Sequence, residues 1–88
     1  MAYRLLIDLE VIEQLQALPA ARRRFLFGHF REIEKYPAAR SDYSDTDAQG
    51  RRVEVSVAKG FAIYYWIDDA DQHVKILLLV AADRSGNR

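Results

Sequence analysis

The sequence contains no cysteine, two prolines, four glycines, two histidines and no net charge. Without cysteine there are no disulfides, no thiolate nucleophile and no Cys-ligated zinc or iron–sulfur centre. The two histidines, His29 and His73, lack ligand-like spacing, so no metal or other cofactor is expected. No charged-then-apolar leader opens the chain and no run of about 20 apolar residues occurs, which predicts a protein of the cytoplasm with no membrane contact. What remains is 88 residues, half of them apolar, enough for one domain (1–88) around one core.

The neutral balance hides segregation. Residues 22–40 hold six bases (Arg22, Arg23, Arg24, Arg31, Lys35, Arg40) against Glu32 and Glu34, whereas residues 41–50 hold Asp42, Asp45 and Asp47 against none. Patches rather than sums steer partners, so neutrality does not exclude a nucleic-acid target.

Residues 3–7 read as a first strand. Asp8 caps a helix over 9–18 with Glu10 in its first turn and Val11, Ile12, Leu15 and Leu18 as its apolar stripe. Pro19 suits the first turn of a second helix, lined by Leu26, Phe30 and Ile33 with Phe25 beside them, and Pro37 ends it after Tyr36. Residues 38–50 are polar and rich in turn formers, and read as one long connection. Beyond Gly50 the period becomes two: strands over 51–58, 61–67 and 73–82, joined by a Lys59-Gly60 hairpin and an Asp68–Gln72 loop. The order predicts an α+β fold, with an N-terminal strand and a two-helix hairpin packed on one face of a mostly antiparallel four-stranded sheet.

Several residues within this layout resemble the RelE/ParE superfamily of type II toxins over roughly residues 3–84. They are the opening Tyr3-Arg-Leu strand, Leu15-Gln-Ala-Leu18-Pro19, Tyr36-Pro37, the hairpin Val55-Ser-Val-Ala-Lys-Gly-Phe-Ala-Ile-Tyr-Tyr-Trp-Ile-Asp68, Val74-Lys-Ile-Leu, and Ala82-Asp83-Arg84. The resemblance implies a toxin neutralised by a cognate antitoxin. Its RelE-like members cleave messenger RNA on the ribosome as endoribonucleases (mRNA interferases), and its ParE-like members bind DNA gyrase. The lead expectation is translation inhibition by ribosome-dependent cleavage. The alternative is a non-nucleolytic binding protein of the same fold, either gyrase-directed or degenerate. Departures favour the alternative: Phe61 replaces the usual hairpin tyrosine, Ala62 the following arginine, and Ser56 or Val57 an arginine of the preceding strand.

Cleavage through a 2′-hydroxyl needs a base, a charge stabiliser and an acid. Arg84, matching the family's terminal arginine, is the first candidate, because a guanidinium clamps phosphate with two parallel bonds. Lys59 and Arg52 are the other catalytic candidates. Arg51, Arg52, Lys75, Tyr64 and Arg22 are candidates for holding RNA. Arg52 shares parity with Glu54 and Ser56, which is read as the open sheet face, opposite the valines; an ion pair with Glu54 is the plain alternative. Phe61, Ile63, Tyr65 and Ile67 form the core stripe, leaving Tyr64 and Trp66 for the less covered face. A tryptophan without flanking bases is a better protein anchor than a base-stacking platform, so Tyr64 and Trp66 are assigned to a partner protein. His73, beside Lys75, is a further proton-transfer candidate, and His29 is placed on a helix flank.

Overall fold

The computed structural model describes residues 3–81 in the order β1 (Arg4–Ile7), α1 (Leu9–Gln16), α2 (Ala20–Lys35), β2 (Tyr43–Thr46), β3 (Arg52–Ala58), β4 (Phe61–Asp68), β5 (His73–Ala81). Asp8 caps α1 as its sequence position requires, its Oδ1 accepting the Glu10 N–H at 3.1 Å. Val11 and Leu15 are the residues that α1 buries. The helix ends at Gln16, so Leu18 belongs to the connection. Pro19 stands just before α2, as its N-cap, with extended backbone (φ −57°, ψ 150°), one position outside the turn predicted for it. Leu26, Phe30 and Ile33 of α2 are fully buried.

The five strands lie in the order β1-β5-β4-β3-β2. β1 is parallel to β5 and every other pairing is antiparallel. The α+β layout stands as expected, with one strand more than the four predicted. The added strand, β2, falls inside 38–50, where a plain connection was expected. It carries no hydrophobic pattern because it is an edge strand with all four residues exposed. It is held by its ladder to β3 and by polar ties: the Asp42 carboxylate accepts the Val57 N–H at 2.7 Å, and Ser41 and Ser44 donate to Glu54 Oε1 at 2.7 and 2.9 Å.

The β3–β4 turn has positive φ at both central residues, Lys59 (45°) and Gly60 (85°), the conformation whose twist suits a two-residue hairpin. In β4, Phe61, Ile63 and Tyr65 face the helices and join Val74, Ile76 and Leu79 of β5 in the core, with Ile67 packed against it. The Tyr65 hydroxyl donates to the Pro37 carbonyl at 2.6 Å, tying the end of α2 to the middle of the sheet. Burial, then the Glu54 charge, pushes this phenol well above its ordinary pKa, so it remains a donor.

Candidate functional site

Residues directly opposite each other in a sheet share a face, so the register assigns every side chain of β3. Glu54 pairs with Tyr65 and Ser56 with Ile63, which places Arg52, Glu54 and Ser56 on the helix side. Val55 pairs with Tyr64 and Val57 with Ala62, so the valines lie on the open face. This reverses the expectation for Arg52. The apolar alternation of β3 was legible, but the face it served was not, because both faces of this sheet are largely apolar. Arg52 is exposed and its Nε donates to Glu54 Oε2 at 3.0 Å and Ser44 Oγ at 3.2 Å, the plain ion pair of the two readings. Burial pushes the Glu54 carboxyl up, but the bonds from Ser41 and Ser44 and the Arg52 charge outweigh it and hold its pKa below the ordinary value.

Across the open face run Leu6 of β1, Lys75, Leu78 and Val80 of β5, Ala62, Tyr64 and Trp66 of β4, the three β3 valines, and Tyr43 of β2. The register slips between Tyr64 and Tyr65: Tyr64 opposes Leu78 while Tyr65 opposes Ile76, leaving Leu77 as the extra residue. Val53, Tyr64, Leu77 and Leu78 then line a hollow of about 250 Å³, rimmed by residues 45–48. Leu78, Val80 and Val57 remain 43%, 40% and 48% exposed. Desolvation, followed by Tyr43, raises the Tyr64 phenol, which is neutral at physiological pH.

Trp66 is not bare of bases. The Arg51 guanidinium lies 4.8 Å from its ring centroid and Lys75 is its cross-strand partner. Arg51 is itself held by Asp47, Nε to Oδ2 at 3.0 Å, and that carboxyl is kept below its ordinary pKa chiefly by the Arg51 backbone N–H. Tyr64 and Trp66 therefore share the open face as expected, with Arg51 and Lys75 at its rim.

The cationic candidates do not meet. Lys59 and Arg52 stand at opposite ends of β3, roughly 20 Å apart at the rise of an extended strand. Lys59 and Arg22 instead face each other's element across the seam between α2 and the β3–β4 hairpin. The Lys59 ammonium is 5.0 Å from the Phe25 ring and the Arg22 guanidinium 5.7 Å from Phe61. Arg84 lies outside the described residues.

Two groupings escaped the sequence. Ser56 is the buried polar residue of the core region, 2% exposed, and His29 Nε2 lies 2.8 Å from its Oγ. Desolvation, then Arg40, lowers the His29 pKa against the opposing pull of Asp42 and Glu32. A polar residue at a core-facing strand position was the available signal for a partner on α2. At the β4–β5 turn, Asp68, Asp71 and His73 bring one potential ligand atom each within 4.8 Å of one another. This juxtaposition was hidden by reading the turn as a loop, and it rests on proximity alone.

Strand order, helix hairpin and open apolar face together define an α+β toxin fold of the RelE/ParE type. No protein-family model and no curated protein matches the sequence. Among solved structures, 97% of the chain matches all of a chain from the archaeal RelE–RelB complex of Pyrococcus horikoshii OT3, with a TM-score of 0.79 and 25% identity. Matches also cover 94% of the chain in the intact E. coli RelBE toxin–antitoxin complex (TM-score 0.72, 20% identity, all of that chain). A free mutant of the E. coli toxin RelE covers the same share (TM-score 0.66, 19% identity, 86% of that chain). The chain is thus structurally homologous to the RelE/ParE toxin–antitoxin superfamily, and in particular to RelE–RelB complexes. That homology supports a toxin role in a toxin–antitoxin module and a cognate antitoxin as partner. Among the described residues no helix is long and apolar enough to cross a membrane.

Proposed function

We propose that this chain is the toxin of a type II toxin–antitoxin module and that it arrests growth by gripping a protein target with its open sheet face, not by cutting RNA. One observation carries the second half: the open face is lined with Val55, Val57, Ala62, Leu78 and Val80, and its cations, Lys75 and Arg51, stand at the rim. Phosphodiester cleavage needs charged groups converging on one phosphate. Here Arg52 is paired with Glu54, and Lys59 stands at the other end of the strand. An apolar face centred on an aromatic pair and a hollow is the anatomy of a protein-binding patch. DNA gyrase is the target class that the ParE-like side of the resemblance implies, and the antitoxin would act by covering the same face.

The test is induced expression, with growth, message ends and plasmid supercoiling followed together. Arrest with intact message, relieved by Leu78→Asp, supports this reading. Arrest with messages cut at ribosomal A-site positions, lost in Arg84→Ala, would restore ribosome-dependent cleavage. An absence of arrest in every host tried would remove the toxin role itself.

A further inference from the structure

The two ends of the molecule differ in how their cations are used. Arg31, Lys35, Arg40, Arg51 and Arg52 each have a carboxylate partner. Among the described residues, Arg22, Arg24 and Lys59, gathered where α2 begins and the β3–β4 hairpin turns, have none within 4.0 Å. Arg22 and Lys59 are exposed, yet each is drawn over a phenylalanine ring of the element opposite. Phe25 is half-buried and stacks on His29, with centroids 6.3 Å apart, so the seam has an apolar floor and cationic walls.

We infer that this seam is a docking groove for an acidic segment of a partner protein, whose carboxylates bind Arg22 and Lys59 while its aliphatic side chains rest on Phe25. It rests on the toxin reading in one respect, that the natural bearer of such a segment is the antitoxin. Charge complementarity selects the occupant. The local positive field is uncompensated, and cations lying on ring faces keep outward N–H groups for carboxylates. A nucleic-acid strand fits less well. The ring faces that would stack on bases are already occupied by Arg22 and Lys59, and the seam offers few cations for a phosphate backbone. The groove is separate from the open sheet face, because Phe61 and Ser56 face the helices. An antitoxin using both would cross the hairpin edge and hold the toxin at two places, which raises avidity beyond either contact.

Titration of isotope-labelled full-length protein with octaglutamate, and separately with octauridylate, tests this by NMR. The expected result is octaglutamate binding that shifts Arg22, Phe25 and Lys59, and that weakens steeply as salt is raised from about 50 to about 300 mM. Arg22→Glu with Lys59→Glu should weaken it by about tenfold or more, with Arg22→Gln and Lys59→Gln as a milder pair should the reversal unfold the chain. Arg31→Glu, at a base already paired with Glu34, should leave it unchanged. Binding of octaglutamate elsewhere, equal binding to the variants, or preferential seating of octauridylate in the seam would each overturn the proposal. The probe binds whether or not the chain is toxic, so this result and the growth assay fail independently.

Discussion

The two faces of the sheet are built from almost the same residue types and end in opposite conditions. On the helix side, Phe61, Ile63, Tyr65, Val74 and Ile76 are closed over by α1 and α2, and the polar atoms among them, Tyr65 Oη and Ser56 Oγ, find partners. On the other side, Val57, Leu78 and Val80 stay substantially exposed, with no element of the described chain laid across them. Hydrophobicity alone therefore does not say which face is core. The helices choose, and the face they leave is the one available for association. A protein of this size gains little by leaving such a surface bare unless something else covers it.

Core truncation should sharpen this contrast most. Phe30→Ala removes a fully buried ring from the helix side and should cost about 3–5 kcal/mol in a urea melt, enough to unfold a marginal domain. Next is Tyr65→Phe, which takes the donor from the Pro37 carbonyl in a buried setting. A loss of about 1–3 kcal/mol is expected, and a neutral result would show that water replaces the phenol.

Acid should act through the polar ties of the helix side. His29 has a lowered pKa in the fold, so its contribution is complete above the ordinary value of 6.5 and is lost as pH falls toward the folded value. Glu54, also lowered, adds a second loss beginning near its ordinary value of 4.5. Stability measured between pH 8 and pH 4 should fall in those two windows, and His29→Gln should flatten the upper one. A profile of His29→Gln parallel to the parent's would break the assignment. The smallest effect belongs to the open face: Leu78→Ser should change stability by under about 1 kcal/mol while weakening capture of the antitoxin or target. A cost as large as that of Phe30→Ala would mean that the open face is core after all.

Much of the fold was readable residue by residue. Asp8, the Leu26–Phe30–Ile33 spacing, Pro37 and Lys59-Gly60 are local signals, each set by one capping, packing or turn requirement, and each holds in the structure. β2 was not readable, because an exposed edge strand needs neither apolar residues nor alternation, only a ladder to lean on and a few side-chain bonds. The site was harder for a related reason. Parity along β3 separates two faces but does not name them, so Arg52 was assigned to the wrong one. The aromatic pair of β4 was assigned correctly because Ile63 and Tyr65 had to join the larger stripe. His29 with Ser56, and Arg22 with Lys59, meet across distant parts of the chain, and pattern within a segment carries no information about them.

The parallel ladder between β1 and β5 sets the order of events in synthesis. Arg4 through Ile7 align with His73 through Ile76, so the first strand has its only sheet partner near the end of the chain. Until the ribosome has delivered β5, α1 and α2 have no complete sheet to cover, and β4 lacks its inner neighbour. Such a chain folds late and nearly all at once, because its closing contact spans most of its length. Its birth as an active molecule thus falls at the end of translation, which gives an antitoxin made from the same message time to be present when the first complete copy forms.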